Sequence, residues 1–145
     1  MHSTAAEPGP LRLTLGDCAR VTGGTLVNGD PGRTVSRYSI DSRSLRGGEL
    51  FFAIVGPNHD AHRFLHGAVR AGARALVVSR PTEEPVGEAA VILVPDTTRA
   101  LQDLAAHVRS LVSPLTVVGI TGSCGKTSAK EISAALLAGH GPVLS

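Results

Sequence analysis

Gly122-Ser123-Cys124-Gly125-Lys126-Thr127 is the stretch of this chain whose residue types and order could do chemistry. Glycines let backbone N–H groups turn toward an anion, a lysine can reach the β- and γ-phosphates, and a threonine hydroxyl can ligate Mg2+. The apolar run Leu115-Thr116-Val117-Val118-Gly119-Ile120 leads in, and a helical pattern from near Lys126 leads out. That context predicts a strand, a phosphate loop and a helix whose N-terminus receives the triphosphate of ATP. Gly122, Ser123, Cys124, Gly125, Lys126, Thr127 and Ser128 are then the cofactor-binding residues, with Lys126 as the catalytic cation and Thr127 as the Mg2+ ligand.

The full pattern G-x-x-x-x-G-K-[ST] is not met, because Ile120 stands where its first glycine belongs. A glycine-rich turn capping a helix, with Lys126 merely solvated, is the competing reading. Lysine usage argues against it: only Lys126 and Lys130 are lysines among 14 Lys+Arg, so one directly after the glycine turn is a poor candidate for chance. Cys124 sits among backbone N–H groups near Lys126, where thiolate is favoured, and is expected to react faster than Cys18. It has no identifiable His/Asn partner, so it is not read as a nucleophile. His62 and His66 have the i,i+4 spacing of a zinc pair on a helix, but only His59 or Asp60 offers a third ligand. A surface helix with two incidental histidines is the expectation there. G-x-S-x-G, G-x-G-x-x-G and C-x-x-C are absent, which removes the simplest hydrolase, dinucleotide and redox readings.

These residues need a scaffold. Thr14 is placed to cap a short helix through Val21, stopped by Gly23-Gly24. Thr25-Leu26-Val27 reads as a strand, Asn28-Gly29 as a hairpin-type turn, and Val35 to Ile40 as a second strand. The run Leu50-Phe51-Phe52-Ala53-Ile54-Val55 is apolar enough to be buried on both faces. A helix from about His62 to Ala71 ends at Gly72. Ala75–Val78 and Val91–Val94 read as short buried strands. Asp96 caps a helix whose Leu101, Leu104, Ala105, Val108, Leu111 and Val112 recur at helical spacing. Ser113-Pro114 breaks that helix and marks a domain boundary. Strands alternating with helices over short connections give an α/β fold class.

Composition bounds the rest. A hydrophobic content of 42% with 18% charged residues fits a globular chain of 145 residues, and 3% aromatics leave the core to Val, Leu, Ile and Ala. A net charge of +2 with scattered arginines argues against nucleic acid as a partner, and no apolar stretch reaches membrane-spanning length. Met1 to Pro10 lacks a signal peptide's apolar core, so a cytoplasmic location is expected. Cys18 and Cys124 are too few and too placed apart to suggest a disulfide framework.

Three stretches resemble the Mur ligases, the ATP-dependent enzymes that append amino acids or peptides to the UDP-linked peptidoglycan precursor. They are Asp41-Ser42-Arg43 with Gly48-Glu49-Leu50-Phe51-Phe52-Ala53 and Gly56; Asp60-Ala61-His62-Arg63-Phe64 with Ala71-Gly72-Ala73; and Thr121 to Glu131. The resemblance implies a flexible tail over 1–12 and a mixed-sheet UDP-substrate domain over 13–112. The first β-loop-α unit of a truncated, parallel-sheet ATP domain follows over 113–145. It implies ATP and Mg2+ as cofactors, and Ser42 and Arg43 as substrate contacts; a strand-end turn with a solvated arginine is the alternative. Asp96-Thr97-Thr98-Arg99-Ala100-Leu101 and Lys130-Glu131 point to the member that joins D-alanyl-D-alanine to UDP-N-acetylmuramoyl-tripeptide. The sister adding the third peptide residue, and a UDP-muramoyl-peptide-binding module without catalysis, are the alternatives. His59 departs from the family, where an aromatic more usually precedes Asp60. The second-metal carboxylate, adenine pocket and dipeptide-binding domain are expected beyond Ser145. The isolated chain is therefore expected to be inactive, with the missing C-terminal half as its partner.

Overall fold

A computed structural model describes residues 11–82, 84–112, 116–139, 141 and 143. The chain divides into two units, Met1–Ser113 and Pro114–Ser145. In the first, β1 (Leu13–Thr14) runs into α1 (Leu15–Val21), whose N-cap Thr14 accepts the Asp17 backbone N–H at 3.0 Å. That bond satisfies one of the donors a helix start leaves open. Strands β2 (Thr25–Asn28), β3 (Thr34–Val35), β4 (Tyr38–Ser39) and β5 (Leu50–Phe52) follow, then a tight hairpin of β6 (Val55–Gly56) and β7 (His59–Asp60). A 3-10 turn over Ala61–Phe64 leads into α2 (Leu65–Arg70); β8 (Ala75–Val78), β9 (Ala90–Leu93) and α3 (Thr97–Leu111) complete the unit.

The main sheet has five strands in the order β2-β9-β8-β5-β4. Strands β4, β5, β8 and β9 are parallel, and β2 is an antiparallel edge on β9. Alternation along the central strands sends side chains to two separate cores, as the period of two requires. Leu50, Phe52, Val77 and Ile92 face α1 and α3, meeting Leu15, Cys18, Ala100 and Leu104. Phe51, Leu76, Val78 and Val91 face Ala61, Leu65 and Ala68 on the opposite side. Each of these large side chains is fully or nearly fully buried, worth roughly 1.5–3 kcal/mol apiece.

Because β4, β5, β8 and β9 share one direction, the segments that follow them emerge along one edge of the sheet. Asp41–Arg43 follows β4, Ala53–Asp60 follows β5, Ser79-Arg80 follows β8, and Pro95-Asp96 follows β9. Open parallel sheets present ligands at this edge.

Three expectations are corrected. Asn28-Gly29 does not close a hairpin, since β2 pairs with β9, Leu26 opposite Ile92. The backbone approach explains the glycine: a Cβ on Gly29, at φ +109°, would stand 2.5 Å from the Ala90 Cβ. The strand expected over Val35 to Ile40 is two pieces, β3 pairing β1 and β4 pairing β5, parted where Arg37 turns to donate to the Gly47 carbonyl. The strand expected ahead of the phosphate loop is absent from the described part of its range. Residues 116–120 lie in no strand, and Val117 and Val118 are 57% and 58% exposed. A strand is held by its neighbours' hydrogen bonds, and the described residues place none beside this one. Ser113-Pro114, the expected break, lies outside the described residues. In the second unit α4 (Lys126–Leu137) forms as expected.

Candidate functional site

The edge formed by the carboxyl ends of the parallel strands carries a tightly bonded polar network. After β4, the Ser39 hydroxyl accepts the Asp41 N–H at 3.1 Å, setting a turn that presents residues 41–43. Asp41 then takes three bonds from Arg43: backbone N–H and Nε to Oδ1, both at 2.9 Å, and Nη2 to Oδ2 at 2.8 Å. Bonding to Arg43 holds the Asp41 carboxyl down to about 2, and Asp41 raises the Arg43 guanidinium in turn. The two candidate substrate residues are thus adjacent but differently engaged. Ser42 is half-buried, with no side-chain hydrogen bond among the described residues; Arg43 is exposed and clamped.

Asp60 is the hub between two of these segments. Arg80 Nη2 donates to its Oδ2 at 2.6 Å, while the His62 backbone N–H reaches Oδ1 at 3.0 Å. The His62 Nδ1 lies 2.8 Å from the same Oδ1, and its Nε2 lies 3.0 Å from the Ser79 backbone N. A carboxylate accepts and an N–H donates, so the proton sits on Nδ1 and the Nε2 lone pair takes the Ser79 N–H. The Arg80 guanidinium, more than any other neighbour, pushes the Asp60 carboxyl well below the carboxylate range. His59 stacks on Phe64 with ring centroids 5.6 Å apart, so it supplies a flat surface on this hairpin despite not being an aromatic hydrocarbon.

This bonding disposes of two chemistries. His62 is not an incidental surface histidine, with a side chain 6% exposed. Nor is it half of a zinc pair: its lone pair is engaged, His66 points to Glu84 at 3.4 Å, and no cluster of three possible ligands exists among the described residues. The Ser79 Oγ lies 3.4 Å from Nε2, completing the outline of a Ser-His-Asp relay. The Ser79 N–H already occupies the lone pair that would draw off the hydroxyl proton, so the arrangement fastens β8 to the hairpin and does not activate a nucleophile. Sequence reasoning missed Ser79 and Arg80, which look like unremarkable loop residues until strand order brings them beside Asp60. It also missed buried Thr97, whose hydroxyl donates to the Ala53 carbonyl at 3.0 Å and ties the start of α3 to the end of β5.

In the second unit, Gly125 takes the left-handed conformation, φ +72°, as the N-cap of α4. The first helical bond runs from Ala129 N–H to Gly125 O at 2.9 Å, leaving the N–H groups of Lys126, Thr127 and Ser128 without helical acceptors. Lys126 Nζ folds back to donate to the Gly122 carbonyl. Gly122, Ser123, Cys124, Thr127 and Ser128 are exposed around it. The donor set fits a polyphosphate: open N–H groups, a lysine ammonium and a hydroxyl at one helix start.

Residues 34–109, just over half the chain, match the family model described as "Mur ligase family, catalytic domain". The chain belongs to the Mur ligase family. It is 40% identical over 134 residues to the UDP-N-acetylmuramoyl-tripeptide–D-alanyl-D-alanine ligase of Escherichia coli K12, covering 92% of this chain and 28% of that ligase. The Synechocystis ligase of the same description is 41% identical over 109 residues, covering 75% of this chain and 24% of its own length. Among solved structures, a crystal structure of MurF from Acinetobacter baumannii superposes with a TM-score of 0.80 at 33% identity, covering 92% of this chain and 29% of that one. MurF ligase from Thermotoga maritima in complex with ADP superposes at 0.58 with 37% identity, covering 71% and 23%. The chain thus spans under a third of the length of these Mur ligases. No helix among its described residues is long and apolar enough to cross a membrane.

Proposed function

We propose that this chain serves the ATP-dependent joining of D-alanyl-D-alanine to UDP-N-acetylmuramoyl-tripeptide in peptidoglycan synthesis, holding the UDP substrate on its first unit and ATP phosphates on its second. The observation that carries this reading is the 134-residue match to a ligase of that description, which runs through both units. In this reading Ser42 and Arg43 contact the nucleotide from the carboxyl-end edge, where the Asp41 clamp and the Asp60 hub hold their loops still. Gly122 to Ser128 cradle the phosphates with backbone N–H groups, Lys126 leaves the Gly122 carbonyl to neutralise the transferred phosphoryl, and Thr127 ligates Mg2+. ATP would supply the γ-phosphoryl that turns the tripeptide carboxylate into an acyl phosphate, releasing ADP; the dipeptide amine would then attack the acyl carbon, form the amide and expel inorganic phosphate. Both substrates are cytoplasmic in this reading.

A second reading is favoured by the exposure of Val117 and Val118. The 145-residue chain binds the UDP-muramoyl peptide without turning it over, because no sheet backs its phosphate loop among the described residues. Calorimetric titration with UDP-N-acetylmuramoyl-tripeptide, alongside an assay for phosphate release with ATP and D-alanyl-D-alanine, tests both. Saturable binding that weakens in Ser42→Ala and Arg43→Gln supports the substrate site; phosphate release separates the catalytic reading from the binding one. No heat of binding at millimolar ligand would overturn both.

A further inference from the structure

At the opposite edge of the sheet, where β4, β5 and β8 begin, lies a cleft of about 500 Å3 lined by Arg12, Thr34, Ser36, Arg37, Gly47 and Arg74 among others. The ligand edge just described belongs to the strands' carboxyl ends, so this cleft plays no part in it. We propose that the cleft between Arg12, Arg37 and Arg74 is a second binding site, specific for a phosphoryl-bearing ligand.

The floor of the cleft is built from bonded backbone, and Arg37 is fastened over it. Gly47 and Gly48 form its floor at φ +96° and +89°, and the Gly48 N–H donates to the Gly72 carbonyl at 2.7 Å. A Cβ on Gly72 would stand 2.8 Å from the Gly47 Cα, so the two loops meet as closely as glycines allow. Arg37 lies over this floor, its Nη2 donating to the Gly47 carbonyl and its Nε 3.7 Å from Glu49 Oε1. Arg74 is fixed at its backbone, where its N–H donates to the Glu49 carbonyl at 3.0 Å.

Charge and donors then define the occupant. Arg12 and Arg74 make no ion pair or side-chain hydrogen bond among the described residues, and neither do the hydroxyls of Thr34 and Ser36. Buried Glu49 offsets one guanidinium and leaves two net positive charges in a chain whose total is +2. Guanidinium forks and hydroxyl donors suit an oxyanion of more than one charge, which a phosphoryl group is and a lone carboxylate is not.

The test is an amide-resolved NMR titration of the full chain carrying Lys126→Ala, which disables the phosphate loop, with inorganic pyrophosphate as probe. Saturable shifts at Ser36, Gly47, Gly48 and Gly72 are expected. Affinity should fall about tenfold or more in the added Arg12→Gln/Arg74→Gln pair, which removes two charge-assisted contacts from exposed side chains. An unchanged melting temperature and unchanged core resonances in that pair show that the fold is intact. Sedimentation with phosphatidic-acid vesicles, against phosphatidylcholine alone, distinguishes the source. Arginine-dependent pelleting assigns the phosphoryl group to a lipid headgroup; pyrophosphate binding without pelleting assigns it to a soluble phosphate ester. Absence of both, or equal binding with and without the two arginines, overturns the proposal.

Discussion

The Nε2 atom of His62 accepts the backbone N–H of Ser79 at 3.0 Å, so a side chain from the turn after β7 completes the end of β8. With Asp60 holding Nδ1, the ring has no spare lone pair. His62→Ala removes an acceptor and a donor from a buried spot and is expected to cost about 1–3 kcal/mol of unfolding free energy in a denaturant titration. Zinc added to the native chain should leave the melting temperature where it was. A zinc-dependent rise would restore the metal-site reading and contradict this bonding pattern.

Acid should act on the same network through Asp60. Its carboxyl lies below the ordinary value in the folded chain, chiefly through Arg80, so the unfolded chain binds the proton more tightly. The stability it contributes is therefore fully present above the unfolded value, about pH 4, and is lost as pH falls through the folded one. In Arg80→Gln the folded value moves up toward the unfolded one, and this contribution shrinks across the whole neutral range. Circular dichroism against pH should show the variant unfolding at higher pH than the native chain. Superimposable acid limbs would mean that the Arg80 contact is too well screened by solvent to matter.

The parallel core could be read in the sequence because its strands are apolar on both faces. Leu50-Phe51-Phe52 and Ala75-Leu76-Val77-Val78 have no polar residue to assign to solvent, which leaves a covered sheet as the only home. The helices announced themselves by caps, Thr14 and Asp96, whose bonds are local in sequence. What escaped was long-range. Asn28-Gly29 carries a hairpin signal, yet the partner of β2 lies more than sixty residues on, at β9. Ser79 and Arg80 have no local signature either, and their roles exist only because β8 lies next to β5. The segment before α4 shows the converse: the helix after the glycine turn forms as its pattern predicts, but residues 116–120 lie in no strand, since pairing depends on neighbours that a local pattern cannot supply.

Two glycines should respond oppositely to alanine. Gly72 sits at φ +100° with its missing Cβ directed at the Gly47 backbone, so Gly72→Ala meets both a disfavoured conformation and a backbone clash. A loss of about 1–3 kcal/mol is expected. Gly67 lies within α2 with open space around its missing Cβ, so Gly67→Ala should stabilise by up to about 1 kcal/mol. Equal effects in thermal melts would show that the close approach of the two loops is not a constraint.

Thiol chemistry should separate the two cysteines. Cys18 is buried on the inner face of α1, and burial, reinforced by the Asp17 charge, pushes its thiol up to about 11. Cys124 is exposed in the glycine turn before α4. Iodoacetamide followed by mass spectrometry should modify Cys124 first, with Cys18 reacting only when the chain is unfolded. If ATP occupies the loop, Mg-ATP should slow Cys124 and leave Cys18 unchanged. Equal rates for the two thiols in the folded chain would mean that α1 opens far more readily than its packing implies.

Hydrogen exchange resolves the state of the segment that precedes α4. Residues 116–120 lie in no strand, and the side chains of Val117 and Val118 are mostly exposed. Their amides should therefore exchange at nearly the rate of an unstructured peptide, while Leu76 and Val77 in the central sheet remain protected. With no strand pairing residues 116–120 among the described residues, any phosphate ligand would itself have to organise the open N–H groups of Lys126 to Ser128, which costs binding energy. ATP should bind no tighter than millimolar. Micromolar affinity abolished by Lys126→Ala, or strong protection of Val117 and Val118 in a monomer, would show instead that the loop is organised before its ligand arrives.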